Sequence, residues 1–312
     1  MRFGSVALVG RSNVGKSTFL NAVLGEALAI VSKVPQTTRD ALLGIAHLPD
    51  CQIAFLDTPG LHRPRSELGR RMNSAAVEAA RGADLILMMT DLPRQVESAD
   101  VVVQRDEPVF ELLSDTTPAL LLVNKVDLWR NKTKLLPVLE AYAARFAFQE
   151  IIPVSVRRKD AVDRVLELVA GRMPEGPAAF AEDELTNRPT VFFIREYVRE
   201  QVLENTRREV PHAVAVSVDS VDESKSVLVI RATVHVEKAG QQRIVVGRGG
   251  ETIKAIGTGA RLRIEALTGR RVHLELFVRV TPQWKNVPRQ LSELGYEEAQ
   301  SAAEYPPNPE ES

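Results

Sequence analysis

Residues 6–17 are VALVGRSNVGKS: four apolar residues, then a loop that fits the pattern G-x-x-x-x-G-K-S/T. The apolar run predicts a buried strand, and residues from about 16 to 24 predict a helix. Between them, the glycines would let backbone N–H groups converge on phosphate oxygens. We expect Lys16 to contact the β- and γ-phosphates and the Ser17 hydroxyl to bind Mg²⁺, which prefers hard oxygen ligands. The predicted phosphate-binding residues are Gly10, Asn13, Val14, Gly15, Lys16, Ser17 and Thr18.

A second motif, DTPG at residues 57–60, ends another apolar stretch. Asp57 would hold a water on Mg²⁺, and Gly60 would bring its N–H to the γ-phosphate. The next residue, Leu61, stands where Ras-like enzymes have a glutamine that orients water. Because leucine cannot polarise water, we expect slow intrinsic hydrolysis or another catalytic device.

A third motif, TTRD at residues 37–40, lies in a polar loop that contains proline. A threonine there would complete the Mg²⁺ shell only when a γ-phosphate is present, which would make the loop a switch. We prefer Thr38 to Thr37, although the spacing does not decide between them. The predicted catalytic residues are Lys16, Thr38, Asp57 and Gly60, and the predicted Mg²⁺ ligands are Ser17, Thr38 and Asp57.

The fourth motif, NKVD at residues 124–127, indicates the base. The Asp127 carboxylate would accept hydrogen bonds from N1–H and the exocyclic amine of guanine. Adenine offers no donor at N1, so it would leave the carboxylate unpaired and be rejected. With Asn124 and Lys125 beside it, this motif completes a set that predicts binding and hydrolysis of GTP.

Composition excludes several classes of protein. The 312 residues are 44% hydrophobic and 26% charged, as in soluble globular proteins, and are long enough for two domains. The single cysteine, Cys51, excludes an internal disulfide and fits a reducing compartment, so we expect a cytoplasmic location. Residues 1–9 lack the pattern of a signal peptide, and the longest apolar runs, 85–89 and 119–123, are too short to span a bilayer.

The first half alternates short apolar runs with amphipathic stretches. This alternation predicts an α/β domain with a mostly parallel sheet that helices cover on both faces and a ligand beyond the carboxyl ends of the strands. We assign residues 1–173 to this P-loop GTPase domain and residues 174–187, rich in Pro, Gly and acidic side chains, to a linker. The predicted strands lie at about 6–9, 41–48, 52–56, 85–89, 119–123 and 151–154.

The second half predicts an α+β domain at residues 188–295, with the order helix, strand, strand, helix, strand. It carries 18 basic and 12 acidic side chains, a net charge of +6, which points to a polyanionic partner. The alternative is an ordinary solvated surface with a modest excess of positive charge. Residues 296–312 hold five acidic and no basic side chains and predict a disordered tail.

The four motifs resemble those of the TrmE-Era-EngA-like group of P-loop GTPases. The stretches GRSNVGKST, QTTRD and DTPGLH are most similar to the Era family within it. In the second domain, residues 243–253 are RIVVGRGGETI, which contains the G-x-x-G loop of a type II KH domain. KH domains clamp four nucleotides of single-stranded nucleic acid against this loop. The resemblance covers about residues 3–296.

The resemblance implies GTP or GDP and Mg²⁺ as ligands and GTP-dependent assembly of the small, 30S-type ribosomal subunit. It implies that the KH domain holds the 3′ end of the small-subunit rRNA. It also implies a monomer with peripheral association at the cytoplasmic side of the inner membrane. The residues that it implies for RNA binding are Gly247, Arg248, Gly249, Gly250 and Lys254.

Two positions carry less direct expectations. Asn13 matches an asparagine that this group links to potassium use, and a potassium ion there would supply the charge that an arginine finger gives elsewhere. The alternative for Asn13 is a simple polar loop residue. Ser155 corresponds to the guanine-loop serine of the family, although Val156 replaces the usual alanine after it.

Two other functions stay open from the sequence. One is a GTPase of the same group that acts on tRNA modification or on the large ribosomal subunit, against which the KH loop argues. The other is a nucleotide-sensing RNA-binding module with little hydrolysis. Leu61 leaves this function open, because leucine cannot polarise the attacking water. Residues 93–117 look unlike the family, and the sequence gives no functional account of them.

Overall fold

The computed structural model describes residues 1–92, 98–129, 133, 135–224 and 226–296. The strands of the first domain are β1 Arg2–Val9, β2 Leu42–Leu48, β3 Cys51–Asp57, β4 Leu85–Asp91, β5 Ala119–Asn124 and β6 Glu150–Pro153. Its helices are α1 Lys16–Leu24, α2 Glu67–Arg81, α3 Ala99–Gln104, α4 Glu107–Phe110, α5 Leu135–Arg145 and α6 Lys159–Ala170.

The six strands form one sheet in the order β2-β3-β1-β4-β5-β6. All neighbours pair in parallel except β2, which runs antiparallel to β3 as a hairpin partner. The predicted mostly parallel sheet is therefore confirmed. Because parallel strands end at the same edge, β1, β3, β4 and β5 deliver Gly10, Asp57, Asp91 and Asn124 to one side of the molecule.

Both faces of this sheet are buried. Every residue of β3 and β5 is buried, as expected for central strands that helices cover on two sides. Alternate side chains of β1 enter different cores: Val6 and Leu8 pack on the α1 and α6 side, whereas Ala7 and Val9 pack on the α2 side. This period of two follows from the pleat of the strand.

The second domain is an α+β unit built on three strands. Its elements are α7 Thr190–Asn205, α8 Val210–Ala213, β7 Ala215–Asp222, β8 Leu228–Val236, α9 Ala239–Val246, α10 Glu251–Thr268, β9 Val272–Val280 and α11 Pro288–Glu293. The strand order is β7-β8-β9, with β7 antiparallel and β9 parallel to β8. Val198 of α7 and Ile256 and Ala260 of α10 pack on one face of this sheet.

The predicted order of this domain left out three of the helices that the structure describes, α8, α9 and α11. A helix, α9, precedes the G-x-x-G loop, so the loop connects two helices and does not follow a strand directly. The sequence of α9 includes Ile244, Val245 and Val246, residue types that favour a strand. Burial of Val245 in the core and hydrogen bonds from the backbone N–H groups of Glu237 and Lys238 to the Gln241 side chain, both 2.9 Å, favour the helix.

The segment predicted as a linker lies along the first domain. Gln52 donates to the carbonyl of Phe180 at 2.9 Å, and Ile45 N–H donates to the carbonyl of Leu185 at 2.9 Å. Tyr296, placed at the start of the predicted tail, is buried and stacks on Trp284. The rest of that tail and residues 93–97 lie outside the described residues, and the domain boundaries stay predictions. No helix within the described ranges is long and apolar enough to cross a membrane.

Candidate functional site

Backbone geometry at the end of β1 requires glycine twice. Gly10 has φ +152°, and a Cβ there would lie 2.2 Å from the carbonyl oxygen of Met89. Gly15 has φ +113°, and a Cβ there would lie 2.3 Å from Nδ2 of Asn124. The phosphate loop is therefore held against the ends of β4 and β5, where no side chain would fit.

Lys16 lies inside this loop. Its ammonium donates to the carbonyls of Gly10 and Arg11, at 3.0 Å each, and the residue is buried. Burial lowers the pKa of Lys16 to about 8, against the attraction of the Asp57 carboxylate. The ammonium is thus fixed at the point where the loop carbonyls converge, ready to contact phosphate oxygens.

The side-chain oxygens of the three predicted Mg²⁺ ligands meet beside the loop. The Ser17 hydroxyl lies 2.6 Å from Oδ2 of Asp57 and 2.9 Å from Oγ1 of Thr38. Thr37 is turned away, because its hydroxyl donates to the carbonyl of Val34 at 2.6 Å. The structure therefore places Thr38, and not Thr37, beside the other two predicted Mg²⁺ ligands.

The donor set fits a hard divalent cation. Oδ1 of Asp57 is buried and has no hydrogen-bond partner among the described residues. Burial raises the pKa of Asp57 to about 6, although the Lys16 ammonium and the Ser17 hydroxyl both lower it. A Mg²⁺ ion would satisfy the orphaned oxygen and would neutralise charge on the transferring phosphoryl group. Two hydroxyls and one carboxylate are the protein's share of such a site.

The DTPG turn packs directly on the phosphate loop. A Cβ on Gly60 would lie 2.5 Å from the backbone nitrogen of Ser12. The next residue, Leu61, donates its N–H to the carbonyl of Gly10 at 3.2 Å. Its side chain is buried in the core on the α2 side, so it does not take the place of a water-orienting glutamine.

The guanine motif ties the phosphate loop to β6. The buried Asn124 side chain donates to the carbonyl of Val14 at 2.8 Å and accepts from the N–H of Val156 at 3.1 Å. Ser155, next to Val156, is buried at the same place, and Asp127 is exposed in a 3₁₀ turn over residues 126–128. The Asp127 carboxylate is thus open to solvent, while Asn124 joins the phosphate loop to the segment that follows β6.

Lys125 of the same motif is fixed by two acceptors. Its ammonium donates to the carbonyl of Asn13 at 2.6 Å and to Oδ2 of Asp91 at 2.8 Å. Asp91 was not among the predicted site residues, although it ends a buried strand, β4, at the same sheet edge as Asp57. The place of Asp91 at the end of a predicted buried strand is the sequence feature that would have identified it.

A buried carboxylate links the unexplained segment 93–117 to the phosphate loop. Asp106 is fully buried and accepts from the guanidinium of Arg11 and from the Tyr142 hydroxyl, the latter at 2.5 Å. Arg11 also contacts Asp91 at 3.3 Å. Residues 98–117 are thus joined to the phosphate loop by a contact that the sequence did not show, because Asp106 stands 95 residues after its partner Arg11.

In the second domain, the G-x-x-G loop is a tight turn between α9 and α10. Gly247, Gly249 and Gly250 have φ of +75°, +60° and +83°. A Cβ on Gly247 would meet the Thr252 side chain at 2.3 Å, whereas one on Gly249 would meet nothing within 4 Å. Arg248 is exposed at the tip. The loop presents its backbone and the Arg248 cation to solvent.

A groove lies between α10 and β9, and its lining begins at Ile253 in the first turn of α10. Its volume is about 340 Å³, and the exposed Lys254 lies on its rim. Arg261, further along α10, lies in the same groove and pairs with Glu265 at 3.0 Å. The walls combine polar and apolar side chains, and they include Lys254, Gly257, Thr258, Arg261, His273 and Leu276.

One edge of the first sheet carries a phosphate loop, an oxygen cluster and a guanine loop, which are the features of a GTPase. The second domain carries a G-x-x-G turn between two helices, which is the feature of a KH domain. A family model described as 50S ribosome-binding GTPase matches residues 5–125, and one described as KH domain matches residues 209–285. GTPase Era of Geotalea uraniireducens is 44% identical over 95% of this chain and 98% of its own length. GTPase Era of Lacticaseibacillus paracasei is 42% identical over 94% and 96%. The chain belongs to the Era family of GTPases.

Solved structures agree with this assignment. A crystal structure of Era in complex with MgGDPNP and nucleotides 1506–1542 of 16S ribosomal RNA superposes with a TM-score of 0.87 and 33% identity, covering 95% of this chain and 99% of that one. A point variant of Aquifex aeolicus Era bound to GDP·AlF₄⁻ gives the same TM-score and identity, with 95% and 100% covered. The family resemblance, the fold class and the GTPase activity predicted from the sequence are confirmed. The roles of individual site residues stay predictions.

Proposed function

We propose that this chain hydrolyses GTP to time its hold on the 3′ end of small-subunit ribosomal RNA, and that it acts in this way in assembly of the small subunit. The observation that carries the proposal is the overlay, over 95% of the chain, with an Era bound to MgGDPNP and a 16S rRNA segment. The nucleotide-site geometry and the G-x-x-G loop described above occur in that same arrangement of two domains.

Chemistry at the KH loop favours a single-stranded polyanion. Three positive-φ glycines form a tight turn before the N-terminus of α10, and Arg248 adds a positive charge at its exposed tip. The adjoining groove is open to solvent and carries Lys254 on its rim. Phosphates would lie against the loop and bases in the groove, as in other KH domains.

The test replaces Arg248→Asp and Gly249→Asp together. Gly249 has open space around it, and Asp tolerates the left-handed region better than most residues, so the turn should survive. We expect binding of a single-stranded oligonucleotide with the rRNA 3′-end sequence to be lost. The salt dependence of the remaining binding should flatten by roughly 0.7 per lost phosphate contact. Basal GTP hydrolysis without RNA should stay unchanged.

A matched control is Ala144→Asp with Arg164→Asp. These exposed positions on helices of the first domain give the same change in net charge far from the loop. The control variant should bind the oligonucleotide as the wild type does. If the loop variant also binds normally, the KH loop does not hold RNA and the proposal is wrong.

We also propose that potassium assists hydrolysis. The support is the Asn13 side chain, which donates to the carbonyl of Lys33 at 3.0 Å, beside the phosphate loop. Leu61 supplies no polar group for the attacking water, so another source of positive charge is needed. We expect faster hydrolysis in potassium than in sodium at equal ionic strength, and a smaller difference in Asn13→Ala. Equal rates in the two salts for the wild type would remove the potassium site.

The other functions that the sequence left open are less favoured. The curated relatives are GTPases, which argues against a sensor with little hydrolysis. The model that mentions the 50S particle matches only residues 5–125, whereas the overlay with an rRNA-bound Era includes the KH half. Peripheral membrane association, a cytoplasmic location and a monomeric state stay predictions from the resemblance, to be tested by flotation with anionic vesicles and by sedimentation.

A further inference from the structure

The loop that carries Thr38 is held from the second domain. Arg199, on α7, has no exposed side-chain surface and donates Nη2 to the carbonyl of Thr37 at 2.6 Å. Its guanidinium also pairs with Glu196, one turn earlier on α7. Burying a guanidinium such as that of Arg199 costs free energy, which its pairing with Glu196 and its hydrogen bond to Thr37 offset. Thr37 directly precedes Thr38, the predicted Mg²⁺ ligand.

Arg39, the residue after Thr38, is also held by contacts with the second domain. The guanidinium of Arg39 lies 5.6 Å from the ring centre of Trp284 and 5.8 Å from that of Tyr296. It donates to the carbonyl of Val214 at 2.6 Å and to the Tyr296 hydroxyl at 3.2 Å. Arg39 is therefore inserted into the second domain, where it makes both aromatic contacts and hydrogen bonds.

A third contact follows in the chain. Asp40 accepts from Nη2 of Arg195 at 2.6 Å, and the Arg195 guanidinium lies over the ring of Tyr296 at 5.2 Å. Burial raises the pKa of Asp40, while Arg195 acts to lower it. Residues 37, 39 and 40 are thus anchored to the second domain, and the Thr38 hydroxyl points instead to the phosphate loop.

We infer that Arg39 and Arg199 are positioning residues for GTP hydrolysis: they hold the backbone on both sides of Thr38 so that its hydroxyl stays beside Ser17 and Asp57. The inference rests on the proposed role of Thr38 as a Mg²⁺ ligand. A flexible loop would have to be ordered each time GTP bound, which weakens binding of the γ-phosphate state in particular. Pre-ordering by the second domain removes that cost, so the GTPase site is complete only when the two domains are docked.

Arg39→Lys and Arg199→Lys test this inference in the full-length protein. Lysine keeps the charge but loses the planar fork and the stacking surface. We expect affinity for a non-hydrolysable GTP analogue in Mg²⁺ to fall about ten-fold, the size of a lost hydrogen bond to a charged group. Affinity for GDP should change less than about two-fold, because Thr38 would engage the metal only with a γ-phosphate present. A merely structural role would lower both affinities alike.

A second measurement covers the folding of the variants. Because Arg199→Lys weakens a buried pair with Glu196, the double variant Arg199→Gln with Glu196→Gln removes both charges together. Thermal unfolding of the GDP-bound variants should lie close to that of the wild type. Arg172→Lys is the matched control: its guanidinium donates to the carbonyl of Leu168 at 2.7 Å and pairs with Glu150 at 3.1 Å, both in the first domain and neither next to Thr38. The control should keep the wild-type preference for the GTP analogue.

Thr38→Ala separates the two levels of the argument. If Thr38→Ala leaves the Mg²⁺-dependent preference for the GTP analogue unchanged, the assignment of Thr38 as a ligand fails and the inference falls with it. If Thr38→Ala abolishes the preference while both arginine variants keep it, the positioning role alone is wrong. Loss of the preference in Thr38→Ala and in both arginine variants, with GDP affinity retained, supports the inference. None of these outcomes depends on RNA binding.

Discussion

At the scale of one residue, we predict that selectivity for guanine depends on the exposed carboxylate of Asp127. Asp127→Asn replaces an acceptor with a group that presents a donor toward the guanine amine. We expect affinity for GTP to fall about 100-fold or more, since two donors would then face each other without an acceptor. Xanthosine triphosphate, which has a carbonyl at that position, should bind better than to the wild type. Competition binding of the two nucleotides measures the change, and an equal loss of both would contradict the role of Asp127.

A second residue-scale prediction concerns His235 in the second domain. Its ring lies 2.9 Å from the hydroxyls of Ser217 and Thr281. Burial lowers its pKa, Arg279 acts in the same direction, and Asp219 opposes them. The unfolded chain therefore takes up a proton near pH 6.5 that the native state resists, and the free energy of unfolding should fall as the pH drops below about 6.5.

Titration of His235 alone changes the free energy of unfolding by at most about 1.4 kcal/mol per pH unit. Urea unfolding at several pH values between about 8 and about 5 measures it. His235→Asn should be less stable than the wild type in the alkaline part of this range but should lose less stability on acidification. Identical slopes for the two proteins would show that His235 is not the group responsible.

Local motifs made much of the nucleotide site predictable. The loop that holds Lys16 and Ser17, the DTPG turn and the NKVD turn are each contiguous, and each follows a strand whose end faces the same edge. Arg199 could not be found in this way, because its target carbonyl lies 162 residues away in the chain. A contact between distant segments leaves no mark in the spacing of either one.

At the scale of elements, the short helices α3 and α4 are joined to the nucleotide site through Asp106. Tyr142→Phe removes a hydroxyl that donates to Asp106 at 2.5 Å inside the core. We expect unfolding free energy to fall by about 1–3 kcal/mol, because a buried carboxylate loses a donor. Nucleotide affinity should fall modestly as Arg11, which shares Asp106, loses its fixed position.

A double-mutant cycle with Asp106→Asn checks whether these groups act as one network. The losses from Tyr142→Phe and Asp106→Asn should not add, since each removes the same hydrogen bond. Additivity within about 0.3 kcal/mol would mean that Tyr142 and Asp106 stabilise the fold independently. Far-UV circular dichroism of each variant verifies that α3 and α4 are retained.

Element order in the first domain followed directly from the sequence, because runs of four to eight apolar residues separated by longer amphipathic stretches are typical of strands that alternate with helices. The second domain was harder. In α9, consecutive β-branched residues contradict the helical state, and only tertiary packing of Val245 reverses the local preference. The G-x-x-G loop was recognised from its glycines, but its position between two helices was not.

At the scale of the whole molecule, the two domains share a core. Trp284 has no exposed surface and lies in one cluster with Leu68 and Met72 of α2 and with Tyr296. Arg71, also on α2, donates to the carbonyl of Tyr296 at 2.5 Å. Both the TTRD loop and the helix after DTPG therefore rest on the same C-terminal element.

Trp284→Ala should separate the unfolding of the domains. Removing a buried tryptophan costs about 3–5 kcal/mol, here taken largely from the contact between the domains. We expect one calorimetric transition for the wild type and two for the variant. Only the transition of the GTPase domain should move to higher temperature when GDP is added, because only that domain binds GDP. A single transition at lower temperature would show that Trp284 stabilises one domain and does not join the two.

One continuous helix, α10, reaches from the G-x-x-G loop of the second domain to a contact with the first domain. It starts at the G-x-x-G loop, and three turns later Arg263 reaches Ala27, in the loop between α1 and the TTRD motif. At about 1.5 Å per residue, roughly 18 Å separate these two points on a rigid rod. If nucleic acid bound at the G-x-x-G loop tilts the first turn, a rigid helix of this length would carry the tilt to its other end. The hydrogen bond from Arg263 to the carbonyl of Ala27 is then the contact at which bound RNA would shift the loop before TTRD.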